Sequence, residues 1–314
     1  MNATRQKRNW LVLEADATPV GRVAARTIRS RLECVWSELA AAVQDPACAE
    51  SVHRLRVATR RTLAALDAFA DLLPAKRAAW FTRRLREVRR VAGDARDLDV
   101  LTGRLASRSS ARADAPTNAA LARRRLVAML ARQRDTSREP IRDMRERLSA
   151  AGWEDRVEDL LARIPAGSRQ PSFATYARER VGPLTERFFA KADRKLRDDD
   201  DVHRLRIAGK KLRYALEIFA PVFSQRDRVR CQEALERLQK TLGDFTDHAA
   251  AADRFRRLSR EDRPGLDHAA LAGLERQETK LAAEARKTFV KWWNGDRRRE
   301  LRRTIERSLE RRSA

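Results

Sequence analysis

Between Val52 and Leu73 the packing positions recur at helical spacing. Val52, Leu55, Thr59, Thr62, Leu66, Phe69 and Leu73 are separated by alternating steps of three and four residues. At about 100° per residue such steps make one continuous stripe along a helix. Val202, Leu205, Gly209, Leu212, Leu216, Phe219 and Phe223 repeat the same steps. His53, Arg56 and Arg60 fall away from the first stripe, on roughly the opposite face, and His203, Arg206, Lys210 and Tyr214 do so in the second. Arg54 and Arg61, like Arg204 and Lys211, flank those faces. The pattern predicts two amphipathic helices, each with an apolar back and a cationic front.

The two segments are related as sequences. VHRLRVATRRTLAALDAF (52–69) returns 150 residues later as VHRLRIAGKKLRYALEIF (202–219), with nine of the eighteen positions identical. Gly93, Asp94 and Asp97 recur in the same register as Gly243, Asp244 and Asp247. Two matches at one offset predict a tandem duplication.

The rest of the chain reads as helices. Val20–Val43 precedes the break at Asp45-Pro46, and the first motif helix ends near Pro74. Ala75–Ala92 follows, and Gly93 with Asp94 reads as the end of one helix and the cap of the next, which runs from Asp97 to Ser107. The caps are preferred to a metal role for those carboxylates. Ser109–Thr117 is a loop, Asn118–Ala150 an Arg-rich helix with a break at Pro140, and Gly152–Ile164 a short helix. Pro165–Pro171 (PAGSRQP) is the clearest linker. Beyond it come a helix from Phe173 to Leu196, an acidic run Asp198–Asp201 that caps the second motif helix, and helices Arg226–Leu242 and Phe245–Arg260 around the second Gly-Asp cap. Pro264-Gly265 turns the chain into a last long helix with a basic end, Arg297–Arg312. The expected fold is all-α, with two duplicated halves at about 20–165 and 172–312 behind a tail, residues 1–19, that carries a short apolar patch at Trp10–Leu13.

Charge narrows the function. The chain has 314 residues, 69 Lys and Arg, 45 Asp and Glu, and a net charge of +24. Polyanions are therefore the expected partners: polyphosphate, nucleic acid or acidic membrane. An ordinary solvated helix face mixes both signs, because like charges one turn apart cost stability. These two faces carry His and cations in like-charge pairs one turn apart, and carry them twice, which points to an anion lying between or against them. The three cysteines, Cys34, Cys48 and Cys231, form no CxxC pair, so neither a disulfide framework nor a cysteine metal site is expected, and a reducing cytoplasm fits. No apolar run reaches the ~18–20 residues of a membrane span, and the N-terminus has no signal-peptide core.

Catalytic signatures are absent. The sequence has no phosphate-binding Gly loop, HExxH, GxSxG or dinucleotide fingerprint. The histidines are His53, His203, His248 and His268, with no metal-ligand spacing among them. The reading is a binding module without cofactor or metal rather than an enzyme.

At the two motif segments the sequence resembles the CHAD domain, the conserved histidine α-helical domain, over about residues 20–312. The family signature resembles VHxLRVxxRRxRAxLxxF in the first half and VHxLRIxxKKLRYxLExF in the second, and both Gly-Asp turns match its pattern. Thr62-Leu63 departs from it where a basic residue is common. The resemblance implies two pseudo-symmetric helical-bundle halves around a basic central cavity that binds inorganic polyphosphate, and recruitment to polyphosphate granules in the cytoplasm. The residues expected to hold the polymer are His53, Arg54, Arg56, Arg60, Arg61 and Arg90 in the first half, and His203, Arg204, Arg206, Lys210, Lys211, Arg213, Tyr214 and Lys240 in the second. Two rivals stay open: non-specific nucleic-acid or nucleoid binding by the same charge, and, less favoured, a phosphotransfer or polyphosphate-processing enzyme acting through His53 or His203.

Overall fold

In the computed structural model, residues 18–110, 118–165, 167, 169–194, 196, 198–261 and 267–310 are described. The tail with Trp10–Leu13, the greater part of the Ser109–Thr117 loop and the Pro264-Gly265 turn lie outside them. The described residues form eleven α-helices and two short 3₁₀ turns. The chain is all-α: a single antiparallel bridge, Pro19 with Ser172, is the only β pairing among the described residues. Backbone bonds from Val20 to the Pro171 carbonyl (3.2 Å) and from Phe173 to the Thr18 carbonyl (3.0 Å) flank that bridge. They tie the end of the 165–171 linker to the start of the first helix.

The helices are α1 (Val20–Gln44), α2 (Ala49–Ala68), α3 (Ala75–Ser110), α4 (Asn118–Thr136), α5 (Glu139–Ala150), α6 (Trp153–Leu161), α7 (Phe173–Ala192), α8 (Asp199–Ile218), α9 (Gln225–Leu258), α10 (His268–Trp292) and α11 (Gly295–Glu310). The motif helices are α2 and α8. Each is followed by a 3₁₀ turn (Ala70–Leu72, Ala220–Val222) and then by one long helix, α3 or α9. Every one of these elements in the second half begins 150 residues after its counterpart in the first.

All fourteen positions of the two predicted stripes are buried. The α2 stripe packs on α1 and α3, and the α8 stripe on α7 and α9. Gly209 lets α8 approach α9 closely: a Cβ there would lie 2.8 Å from the Gln239 amide and 2.9 Å from Leu238. Asp198 caps α8 as expected, its carboxylate accepting from the Asp201 N–H (2.7 Å). α2 and α8 also pack on each other. Phe69 and Phe219, the stripe residues that cap the C-terminal ends of the two helices, meet edge to face at 6.0 Å. Tyr176 of α7 stacks on Phe69 and donates to the Ala68 carbonyl (2.8 Å). One continuous core therefore spans both halves. A smaller second core joins the far ends of α3 and α9 to α4 and α10, with Leu105, Leu130, Phe255 and Leu271 at its centre.

Two expectations about helix ends are corrected, and the break expected at Pro140 falls just before it. Neither Gly-Asp motif interrupts a helix: α3 runs unbroken through Gly93 and Asp94, and α9 through Gly243 and Asp244. The reason lies in what packs against the glycines, described below. Asn118–Ala150 is divided at Ser137-Arg138, just before Pro140, which sits in the first turn of α5. The last helix is divided at Trp293-Asn294, where the buried Trp293 ends α10 and Asn294 caps the next turn by accepting from the Arg297 N–H (3.1 Å).

Candidate anion-binding site

Direct contact of α2 with α8 brings their cationic fronts together beside the Gly-Asp segments of α3 and α9. Arg56 is half-buried and reaches across to α3. Its Nη1 donates to the Ala92 carbonyl (3.3 Å), lies 3.6 Å from the Asp97 carboxylate, and sits 3.2 Å from where a Cβ on Gly93 would be. Arg206 makes the equivalent approach from α8 to α9 less closely, its Nη2 3.9 Å from a Cβ on Gly243. Both glycines are thus helix-interior positions, not caps; Gly93 is kept bare under Arg56, while Gly243 has room for a Cβ beneath Arg206. Asp97 of α3 also feels Asp247 of α9. The protein around its carboxyl raises it above the ordinary carboxylate range against the pull of Arg56, and Asp94 and Asp247 add to the rise. Its side chain is 81% accessible, so water screens much of that effect.

Electrostatics locate the cations relative to one another. Burial lowers the Arg56 guanidinium below its ordinary value, and Arg60, Arg96 and Arg89 lower it further against Asp97. Burial likewise lowers Arg206; Asp247 opposes this and Arg60, from the other half, adds to it. Lys210 is the most strongly affected. Burial, then Arg206, Arg60, Arg56 and Arg213, push its ammonium down to about 7. Cations of α2 and α8 therefore share one neighbourhood. Nearby carboxylates neutralise it only in part: Asp97 pairs with Arg56, and no carboxylate of the described residues pairs with Arg60, Arg206 or Lys210. His53 is exposed at the cluster's edge; the protein packed along one side of its ring lowers it, then Arg96, with Arg60 and Arg56 acting the same way against Glu50, and water screens much of this. An anion entering this locus would be met by uncompensated donors, and it would favour the protonated forms of Lys210 and His53.

The fourteen sequence candidates divide. Arg56, Arg60, Arg206 and Lys210 form the shared cluster, with His53 at its edge. His203, Lys211, Arg90 and Lys240 are exposed. Arg54 is committed to Glu38 of α1 (2.9 Å) and Arg204 to Asp201 (2.7 Å). Arg61 crosses from α2 to the nearly buried Glu217 of α8 (2.9 Å), which also receives Arg213 (3.4 Å). This pair holds the motif helices together rather than facing outward. Tyr214 is buried, its ring stacked against the Arg213 guanidinium at 4.7 Å. Sequence reasoning passed over Arg89 and Arg96. They lie four residues before and three after Gly93, on one face of α3, and that spacing was the available signal. Their second-half counterparts are Gln239 and Thr246, so the first half supplies more charge. His248 stands apart, sharing a 2.6 Å hydrogen bond with the buried Glu278. No group of three or more His, Cys, Asp or Glu among the described residues is arranged to hold a metal ion.

The CHAD domain family pattern matches residues 26–256. The chain belongs to the CHAD domain family. That family is associated with polyphosphate binding and metabolism. The matched span contains both motif helices, all of α3, and α9 as far as residue 256, so both Gly-Asp segments lie within it. Among solved structures, the fold is similar to the crystal structure of the CHAD domain from the plant Ricinus communis, with 23% identity, a TM-score of 0.67, and 94% of each chain covered. It is also similar to PptA from Streptomyces chartreusis, with 19% identity, a TM-score of 0.61, and 88% of this chain and 99% of that one covered. A comparison with curated proteins gives no match. No helix among the described residues is long and apolar enough to cross a membrane.

Proposed function

We propose that this CHAD domain binds inorganic polyphosphate in a basic cavity where α2 and α8 meet, as a binding module without turnover, and that this binding recruits it to polyphosphate granules in the cytoplasm. The carrying observation is the set Arg56, Arg60, Arg206 and Lys210, drawn from both halves and crowded together, where burial and then the neighbouring arginines push Lys210 down to about 7. A folded protein keeps like charges crowded at a cost, and an anion removes it. Polyphosphate, with about one negative charge per phosphate, suits a row of such donors. Arginine forks take two oxygens at once, and lysine follows as a mobile point charge. Nucleic acid would call for aromatic platforms beside the cations, whereas the one aromatic of the motif faces, Tyr214, is buried.

Competition tests the reading. Long-chain polyphosphate should displace DNA from the protein, DNA should displace polyphosphate poorly, and no phosphate should be released over hours. Displacement of polyphosphate by equal charge of DNA would support nucleic acid as the partner. Phosphate release, or label retained on His53 or His203, would make the protein an enzyme.

A further inference from the structure

A second concentration of arginine lies outside the motif helices. Two adjoining recesses of about 340 and 240 Å³ share Arg230, Glu300 and Thr304 and run between the first half of α9 and α11. On α9 the residues facing this recess are Arg230, Glu233, Ala234 and Arg237, whereas Leu238, Gln239 and Gly243 face α8. At about 100° per residue these are two sides of the helix. The recess is thus separate from the Arg56–Lys210 cluster.

Its guanidiniums are held but not neutralised. Arg237 and Arg297 stack over Trp292, at 4.9 and 5.5 Å from the ring centroid. Stacking of this kind fixes the plane of an arginine while leaving its N–H groups available. Arg297 spends one donor on the Trp292 carbonyl (2.6 Å). Arg299 is committed to Asp296 (2.5 Å) and Arg307 to Asp227 (3.0 Å). Among the described residues Arg230, Arg237 and Arg303 have no carboxylate partner, although Glu233 and Glu300 also line the recess. Three uncommitted forks around one concavity of small-molecule size match an anion with several phosphoryl oxygens.

We infer that the recess between α9 and α11 is a second anion site, which binds a short oligophosphate independently of the motif helices. This goes beyond the polyphosphate reading and does not depend on it. The test is calorimetric titration of tripolyphosphate at fixed salt into the full chain carrying R56Q, R60Q, R206Q and K210Q, so that the motif cluster is silenced. Saturable one-to-one binding is expected there. Adding R230Q, R237Q and R303Q should weaken it at least about tenfold, since one charged hydrogen bond is worth that much. Adding R276Q, K280Q and K287Q on the exposed face of α10 instead, which removes equal charge, should change it less than about twofold. Circular dichroism checks that each variant is folded; the three recess arginines are exposed, so folding should survive. Absence of saturable binding in the motif variant, or equal weakening by the two triple changes, would overturn the inference.

Discussion

Arg56 and Gly93 fit one another across two helices: the guanidinium fills the space a Cβ on Gly93 would need, 3.2 Å away. The contact explains a glycine in the interior of a 36-residue helix, where that residue costs roughly 0.5–1 kcal/mol relative to alanine. It also gives the Gly-Asp motif a place in the site, since Asp97, one turn on, holds the same arginine.

Gly93→Ala should separate stability from binding. The new methyl favours the helix by up to about 1 kcal/mol, while Arg56 must shift by a few tenths of an ångström. Chemical denaturation should show unchanged or greater stability, and polyphosphate titration a loss of a few-fold in affinity. Gly243→Ala is the counterpart: its Cβ would meet Arg206 only at 3.9 Å, an ordinary contact. It should gain stability with affinity unchanged. Equal affinity loss in both variants would mean that neither arginine's position matters as described.

Lys210 sets a pH dependence. Its folded value of about 7 lies below the unfolded value near 10.4. Between those values the unfolded state holds more protons, so the stability cost of charging Lys210 is fully present below pH 7 and fades as pH rises toward 10. Lys210→Gln should therefore stabilise the protein more at pH 6 than at pH 9, by urea unfolding. A polyanion favours the charged form, so wild-type affinity should fall from pH 6 to 8 at constant ionic strength, with proton uptake on binding. Lys210→Arg should keep the affinity and reduce that fall, leaving the contribution of His53. A pH-independent wild-type affinity would place Lys210 outside the site.

Arg61 gives the opposite result to the cluster residues. It spans α2 and α8 to a Glu217 side chain that is only 9% accessible, so Arg61→Gln leaves a nearly buried carboxylate with Arg213 alone. The expected outcome is a stability loss of about 1–3 kcal/mol with polyphosphate affinity nearly retained at temperatures where the variant is folded. A large affinity loss without destabilisation would return Arg61 to the ligand set.

What the sequence could reveal follows the range of the interactions. The stripes of α2 and α8 were legible because burial imposes a helical period on neighbouring residues, and the same period placed Arg56, Arg60, Arg206 and Lys210 together on the front. The Asp198 cap was legible because it acts within one turn. The Gly-Asp motifs were misread because Gly followed by Asp is a local signal for a helix end. At Gly93 the glycine instead makes room for Arg56, which arrives from another helix. Pairing also hid which cations are free. Arg54 and Arg61 look like ligands until Glu38 and Glu217 are brought to them from 16 and 156 residues away.

Salt gives a measure of the contact number. If counterion release dominates, log affinity for long-chain polyphosphate should fall linearly with log salt, with a slope of several units. The slope should drop by roughly one for each cluster cation removed, and by less for removal of His203 or Arg90. A slope near zero would leave no electrostatic binding to explain.

The most direct test of the central claim removes the cluster and compares it with an equal loss of charge elsewhere. R56Q, R60Q, R206Q and K210Q together take the net charge from +24 to +20. R276Q, K280Q, K287Q and K291Q, all exposed on α10, do the same. None of the eight lies on a predicted apolar stripe, so both proteins should keep full helical circular dichroism. Each charged hydrogen bond to phosphate is worth roughly 1.5–3 kcal/mol, less where water replaces it. The measurement is the dissociation constant for long-chain polyphosphate at one salt concentration, with the recess between α9 and α11 intact in both proteins. The cluster variant should bind at least about a hundredfold more weakly than wild type, and the α10 variant within a few-fold of it. Equal losses would mean that total charge, and not the meeting of α2 with α8, binds the polyanion.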